Sequence, residues 1–203
     1  MASAPVQPTP APQTTPSPQP TPQPTPAPAV QPAAQPAAKP PETPAQYKIG
    51  DRGPSGGIVF YDKGNNDDGW CYLEAAPVDL QNTGWGLWGV SVNGLKTYIG
   101  SGKQNTELII AALSQSRESG KAAQLCKAYT LGGYSDWFLP SQDELDLMYK
   151  NLKQNNLGGF KSGFYWSSSQ GDYNYAWNQD FSNGGQYNYC KFSTYYVRAV
   201  RAF

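Results

Sequence analysis

The segment from Gly171 to Tyr196 alternates large aromatic side chains with small polar ones. Tyrosine offers a broad amphipathic contact area at little rotamer cost, and serine and asparagine adapt their hydrogen bonds to different partners. This composition is typical of a binding surface, and we predict that the segment recognises a protein or a glycan. The predicted ligand-binding residues are Asp172, Tyr173, Asn174, Tyr175, Asn178, Asp180, Ser182, Tyr187, Asn188, Tyr189, Phe192, Ser193, Thr194, Tyr195 and Tyr196.

The composition argues against enzymatic chemistry. The 203 residues include no histidine, which excludes Ser-His-Asp and Cys-His sites, an imidazole base and histidine-ligated zinc. Cys71, Cys126 and Cys190 lie at unrelated spacings without a CxxC pair, and a Cys71–Cys126 bridge stays open. We therefore predict that the protein is not an enzyme and has no catalytic residue, metal or cofactor. The oxygen-rich run at 65–68 is interpreted as a polar loop rather than a calcium site.

The charge balance narrows the class of partner. Fifteen Lys and Arg residues balance fifteen Asp and Glu residues without a basic cluster, so nucleic acid is not the expected partner. No apolar run approaches the roughly 20 residues that span a bilayer, and no membrane-spanning segment is predicted. The expected partner is a protein or glycan on another surface.

The composition changes abruptly at residue 46. Sixteen of the 19 prolines lie between Pro5 and Pro44, whereas all 27 aromatic residues lie from Tyr47 onward. Residues 1–46 therefore predict a disordered, extended linker rich in Pro, Ala, Gln and Thr, and residues 47–203 predict one ligand-binding domain. A linker of this kind can hold a domain away from an envelope, and the given sequence opens directly inside it. We expect an extracellular or cell-surface location, although an export signal is not present in the given sequence.

The first half of the domain predicts a hairpin, a loop and a helix. β-Branched and aromatic runs at 58–61 and 70–73 indicate an N-terminal β-hairpin. Residues 79–104, rich in Gly, Asn, Ser and Trp, predict an irregular loop that contains Trp85 and Trp88, for which core packing and ligand stacking stay equally open. Helical spacing begins at Asn105, which can serve as an N-cap, and resumes from 122 to 129.

A second helix is indicated by the capping-box spacing of Ser141 and Glu144, in which each residue satisfies a backbone N–H of the other. Leu145, Met148 and Leu152 form its predicted buried stripe, and the glycines at 158–159 are predicted to close it.

Period-two alternation after Gly163 predicts several antiparallel strands, at 164–167, 174–182, 186–192 and 195–203, with Asn183-Gly184 as a hairpin turn. In the second of these strands the predicted inward-facing residues are Tyr175, Trp177, Gln179 and Phe181. Trp166 and Phe203 are also predicted to lie in the core, and Arg198 and Arg201 to make structural hydrogen bonds. The element order, a hairpin, two helices and a C-terminal antiparallel sheet, predicts an α+β fold.

Several ordered motifs resemble a known family, the C-terminal domain of Legionella collagen-like adhesins. The motifs are GDRGPSGGIVFYD at 50–62, YLEAAP at 72–77, GGYSDWFLPSQDELDLMY at 132–149 and YYVRAVRAF at 195–203. The resemblance implies a C-type-lectin-like fold and a role in attachment, with glycans such as glycosaminoglycans as candidate ligands. The lack of a basic patch argues against glycosaminoglycans here. A homo-oligomer is an open alternative, because the related adhesin domains assemble.

Two further resemblances bear on function. The WFLPS motif at 137–141 is similar to formylglycine-generating enzymes, whose catalytic cysteine pair is not matched here, so that activity is only an alternative. The predicted ligand-binding residues and Cys190 all belong to the set of amino acids obtained when the adenines of an asparagine codon are randomised. In this respect the chain resembles target proteins of diversity-generating retroelements, which implies a hypervariable surface. The preferred hypothesis is a non-enzymatic, adhesin-like binding domain on a Pro-rich stalk.

Overall fold

The computed structural model describes residues 46–203. The linker predicted over residues 1–46 lies outside the described residues apart from Gln46. The helices are α1 (Gly102–Gln115), α2 (Ala122–Ala128) and α3 (Gln142–Asn151), and a 3₁₀ turn follows at Lys153–Asn155. The strands are β1 (Ile58–Asp62), β2 (Tyr72–Ala75), β3 (Phe164–Gln170), β4 (Tyr175–Asp180), β5 (Gln186–Cys190) and β6 (Val200–Ala202). Two antiparallel sheets, β1-β2-β6 and β3-β4-β5, together with these helices confirm the predicted α+β class.

The C-terminal end of the chain joins the N-terminal hairpin. β6 pairs with β2, so that Leu73 lies opposite Ala202. The prediction of one strand over 195–203 within a C-terminal sheet is therefore wrong, because only its last part is a strand and that part belongs to the other sheet. A long-range contact accompanies this pairing: buried Arg201 donates a hydrogen bond to the carboxylate of Glu74, its register partner in β2, at 3.1 Å.

The helical region after the loop contains two helices instead of the one predicted. The chain adopts left-handed backbone conformations at Arg117 (φ 56°) and Gly120 (φ 69°), and this break separates α1 from α2. The first helix is preceded by Ser101 rather than capped by Asn105. Asn105 is buried within α1 instead, where its side-chain amide bonds the N–H and the C=O of Lys96 at 2.9 and 2.7 Å.

The capping box at the start of α3 is confirmed. The Ser141 hydroxyl accepts from the Glu144 N–H at 3.3 Å, and the Glu144 carboxylate accepts from the Ser141 N–H at 2.7 Å. The helix ends at Asn151, earlier than predicted, because a 3₁₀ turn and the left-handed Asn156 (φ 57°) follow it. The predicted stripe is buried, as shown by Leu145, Met148 and Leu152.

The alternation predicted for β4 is present, but its inward-facing set is only partly correct. Gln179 and Phe181 are buried as predicted, whereas Tyr175 is exposed and Trp177 is half-buried. Phe203, also predicted to lie in the core, is half-buried at the end of the chain.

The position of α3 explains why the inward-facing set of β4 changes along the strand. The Gln179 side chain donates to Asp146 of α3 at 2.9 Å, which shows that α3 covers this end of β4. Tyr175 lies four residues away at the other end of the strand. On the opposite face, Ala176 and Asn178 are buried. Sequence alternation predicts the two faces but not which element covers each of them.

The core has two hydrophobic clusters. One contains Trp85, Trp137 and Trp166 with residues of α1 and α2, and the other contains Phe60, Tyr165 and Phe181 with residues of α3. Within residues 46–203, none of the helices has the length and apolar character that crossing a membrane requires.

Glu144 holds the end of the irregular loop against α3. Its fully buried carboxylate accepts from the Gly100 N–H at 2.8 Å in addition to its capping contact. Gly102 is required beside it, because a Cβ there would lie 2.2 Å from a Glu144 carboxylate oxygen. Burial raises the pKa of Glu144 to about 7, although the backbone N–H groups that bond it oppose this shift.

The titration of Glu144 should make the domain more stable at pH 5 than at pH 7. The native carboxyl group keeps its proton up to about pH 7, whereas the unfolded group loses it near its ordinary pKa. The native state therefore binds more protons in this interval, and its unfolding free energy falls by about 2 kcal/mol as the pH rises from 5 to 7. Urea unfolding at a series of pH values measures this slope. The Glu144→Gln variant should lose it, and an unchanged slope in that variant would contradict the assignment.

Candidate ligand-binding surface

The tyrosines of β5 form one aromatic group with their neighbours across the β3-β4-β5 sheet. The Phe164 ring centroid lies 5.4 Å from that of Tyr189 and 5.1 Å from that of Tyr195, and Tyr187 lies 5.9 Å from Tyr189. Tyr187 and Tyr189 are 41% and 40% exposed, so each ring packs on one side and faces solvent on the other. The fold thus brings the predicted residues Tyr187, Tyr189 and Tyr195 together. It also adds Phe164 to this aromatic group, a residue that the sequence pattern assigned only to a strand.

A second aromatic contact involves the irregular loop. The exposed rings of Trp88 and Phe192 lie 6.1 Å apart, and their side chains are 59% and 66% exposed. The Gly89 N–H donates to the Tyr173 C=O at 2.9 Å, which holds the loop beside the β3–β4 turn. Trp85 is fully buried, in contrast to Trp88. Trp85 therefore packs in the core and Trp88 does not, and no sequence signal distinguishes them.

The β3–β4 turn borders an open depression of about 340 Å³. Gly171, Asp172, Tyr175 and Asn188 line it, and three of these are predicted ligand-binding residues. The Asp172 carboxylate accepts from the N–H groups of Asn174 and Tyr175 at 2.7 and 2.9 Å, which fixes the turn. One carboxylate oxygen of Asp172 is therefore used by the local backbone, although the residue as a whole is exposed.

The other predicted residues differ in exposure. Asn178 is 1% exposed, so it lies beneath the surface, and its Oδ1 has no hydrogen-bond partner within the described residues. Asp180 is half-buried and accepts from the Ser182 N–H at 2.8 Å, and Tyr196 packs against Tyr165 with centroids 5.1 Å apart.

Apart from Asn178, the predicted residues are exposed or half-buried. They are Asp172, Tyr173, Asn174, Tyr175, Asp180, Ser182, Tyr187, Asn188, Tyr189, Phe192, Ser193, Thr194, Tyr195 and Tyr196. We call these residues, together with Phe164 and Trp88, the tyrosine surface.

Buried Lys191 fixes the irregular loop that contains Trp88 to the strands that carry the tyrosine surface. Its ammonium donates to the Val90 C=O at 2.8 Å and to the Gln170 side-chain oxygen at 3.0 Å. It also lies 4.7 Å from the centroid of the Trp85 ring. Burial lowers the pKa of Lys191 to about 8, and the Asp172 charge opposes this shift. Lys191 therefore positions the surface from below and is not available to a ligand.

Arg198 anchors the start of the same loop. Its guanidinium donates to the Asp79 carboxylate at 2.8 Å and to the C=O groups of Ala76 and Gly158, also at 2.8 Å. The ring of Phe160 covers it at 4.0 Å from the ring centroid. The predicted structural role of Arg198 is confirmed, and Arg201 has a comparable role in β6.

The described residues contain few groups suited to other chemistry. Cys71, Cys126 and Cys190 are all free, so the Cys71–Cys126 bridge left open by the sequence is not formed. Burial raises the pKa of the Cys126 thiol, which fits the small buried hydrophobe expected there. Asp68 in the oxygen-rich loop is paired with Lys63 at 3.0 Å. Within residues 46–203, no group of three or more His, Cys, Asp or Glu side chains could hold a metal ion.

Residues 80–201 match the sequence model of the Lcl C-terminal domain, and this range covers more than half of the chain. The chain belongs to this family, which confirms the resemblance found in the motifs at 132–149 and 195–203. The matched range contains Trp88 and the irregular loop around it, the three helices and the β3-β4-β5 sheet. Membership in an adhesin-type family indicates a surface or binding role.

The fold is similar to that of a fimbrial protein from Bacteroides ovatus, with a TM-score of 0.50 and 13% sequence identity. The alignment covers 67% of this chain and 37% of that protein. At this identity the similarity concerns the fold alone, and the chain spans little more than a third of that protein's length. No curated protein matches the chain.

Replacing Lys191 by Met should destabilise the domain by about 1–3 kcal/mol, because the Val90 C=O would lose its Lys191 donor and the Gln170 side-chain oxygen would keep only the Val92 N–H. Urea unfolding followed by tryptophan fluorescence measures the change. Lys103→Met is the matched control, since Lys103 is exposed on α1 and its replacement should cost less than about 0.5 kcal/mol. Equal stability of the two variants would show that the Lys191 contacts do not hold the loop.

Proposed function

We propose that the protein is a non-enzymatic, adhesin-like binding domain that recognises a protein or a glycan through the tyrosine surface. The observation that supports this most directly is the distribution of burial between residues 171 and 197. The predicted ligand-binding residues other than Asn178 are exposed or half-buried, whereas the conventional residues between them, such as Ala176, Phe181 and Val197, are buried. A rigid framework therefore presents a row of adaptable side chains.

The proposed mechanism is surface complementarity. Exposed aromatic rings such as Tyr187, Tyr189 and Trp88 can bury large areas against a partner, and Tyr and Trp are the residue types that most often dominate binding energy. Asn188, Ser182 and similar side chains would supply polar specificity at the edges. The rings already pack on one another, so little conformational freedom would be lost on binding.

The charge of the tyrosine surface favours a protein or an uncharged glycan over a glycosaminoglycan. The two charged side chains that belong to it, Asp172 and Asp180, are both acidic. The nearest lysine in the segment, Lys191, is buried beneath the surface. Sulfated polysaccharides need clustered exposed cations, whereas beside this surface the exposed Lys161, 5.7 Å from the centroid of the Tyr196 ring, stands against two acidic side chains.

The proposal includes the setting of the domain. We place it on the Pro-rich stalk of residues 1–46, outside the cell or at its surface, with a C-type-lectin-like variant of the α+β fold. Family membership supports a surface role, and the linker composition supports a display function.

The proposal also includes diversification of the tyrosine surface. Positions that accept many residue types must lie outside the core, because core substitutions cost several kcal/mol. The predicted residues other than Asn178 meet this requirement, and the thiol of the half-buried Cys190 forms no disulfide within the described residues.

The DNA that flanks the gene tests diversification. We expect a reverse transcriptase gene and a near-identical repeat of the 3′ coding region that encodes asparagine at the variable positions. Absence of both from the sequenced neighbourhood would contradict the idea and would leave the binding proposal unaffected.

The binding proposal is tested by changing Tyr173, Tyr175, Tyr187 and Tyr189 together to Ala in the full chain. Wild type and variant would be compared on glycan and surface-protein arrays, with and without calcium. Because these rings pack only at the edge of the fold, the variant should stay folded with a moderately lower melting temperature, whereas affinity for the captured ligand should fall at least about 100-fold.

Tyr134→Ala is the matched control, since Tyr134 is a similarly exposed ring outside the tyrosine surface. It should bind as the wild type does. Undiminished binding by a folded quadruple variant would overturn the proposal.

A further inference from the structure

We propose a second, separate binding site that accepts a neutral saccharide ring in the cleft beside the β1–β2 hairpin. The cleft is open, has a volume of about 270 Å³ and lies between the hairpin loop and the segment before α1. Its principal lining residues are Tyr61, Lys63, Asp68, Trp70 and Tyr98. None of these belongs to the tyrosine surface, and the inference does not depend on the function proposed for that surface.

The walls of the cleft are aromatic. The rings of Tyr61 and Trp70 lie 6.3 Å apart at an interplanar angle of 44°, and both side chains are half-buried. Tyr98 is 56% exposed, yet its backbone is fixed because its C=O accepts from the Ser141 hydroxyl at 3.0 Å. An exposed ring on an anchored backbone provides a flat apolar surface, and the electron-rich face of such a ring attracts the weakly positive C–H groups of a pyranose.

The polar group in the cleft is a neutralised ion pair. The Lys63 ammonium lies 3.0 Å from the Asp68 carboxylate and 4.4 Å from the centroid of the Trp70 ring. The Lys63 side chain is 14% exposed, whereas that of Asp68 is 75% exposed. The pair offers a hydrogen-bond donor and an acceptor side by side without net charge, as hydroxyl groups require. Because the two charges neutralise each other, the cleft has no net charge to attract an ionic ligand and suits an uncharged ring.

The cleft is formed in advance by close backbone packing. Gly100 has a left-handed φ of +90°, and a Cβ on it would lie 3.3 Å from the Trp70 indole. The Gly100 N–H is held by the buried Glu144 carboxylate at 2.8 Å. The wall that supports Trp70 is therefore tied to α3, and binding a sugar would require little rearrangement.

The test titrates the full chain with methyl β-D-glucopyranoside, methyl β-D-galactopyranoside and N-acetylglucosamine. The readout is the indole N–H resonance of Trp70 in ¹H–¹⁵N spectra, assigned with a Trp70→Phe variant. At least one sugar should shift this resonance with millimolar affinity. The Tyr98→Ala variant should bind about three- to tenfold more weakly, because one stacking surface is lost. Asp68→Asn provides a second variant at an exposed position if Tyr98→Ala does not fold.

Two controls separate this site from the tyrosine surface. Tyr134→Ala and the quadruple tyrosine variant should both retain the sugar-induced shift of Trp70. If no sugar shifts Trp70, or if folded Tyr98→Ala binds as tightly as the wild type, the proposal is wrong. It is also overturned if glucuronate binds more tightly than the neutral glucoside, or if only the quadruple variant loses binding.

Discussion

The structure depends on how the segment between β2 and α1 satisfies its backbone polar groups. This long segment has no regular ladder of its own, although much of it lies against the core, where unpaired N–H and C=O groups would be costly. Side chains take the place of a neighbouring strand: the buried Asn105 bonds both backbone groups of Lys96, and the half-buried Gln170 bonds both backbone groups of Val92. Glu144 does the same for the N–H of Gly100. Each of these side chains comes from a different helix or strand, so the segment connects α1, α3 and β3.

The same constraint separates residues that hold the surface from residues that can contact a partner. Lys191 and Arg198 are long, charged and located in the C-terminal segment, yet both are buried and bonded to the irregular segment. Trp85 contributes in the same way, because its indole N–H donates to the Ser167 C=O at 2.8 Å. Trp88, three residues later, is exposed to solvent. A surface supported from below by satisfied polar groups can be rigid without using its outward side chains for stability.

The sequence predicted the features that depend on neighbouring residues and missed those that depend on distant contacts. The Ser141–Glu144 capping box and the hairpin turn at 183–184 are local, and both were correct. The division of the helix at Arg117, the pairing of β6 with β2 and the exposure of Tyr175 were not predicted. The pairing of β6 with β2 and the cover that α3 gives to one end of β4 join elements far apart in sequence, whereas the break at Arg117 is a local left-handed backbone conformation. The composition predicted a binding segment, and the fold places Asn178 beneath the surface and the exposed Trp88 beside Phe192.

The division between framework and surface also determines what a change in the surface can do. Tyr187 and Tyr189 pack mainly on one another and on Phe164, whereas Ala176 and Phe181 pack into the interior. Replacing one of these tyrosines removes contacts at the edge of the fold, while the polar network around Lys191 and Glu144 is untouched. A surface with few charged side chains would distinguish partners more by shape and by hydrogen bonds than by charge. A single replacement there can therefore change the shape of the surface while the domain remains folded, which is what the proposed diversified binding surface would require.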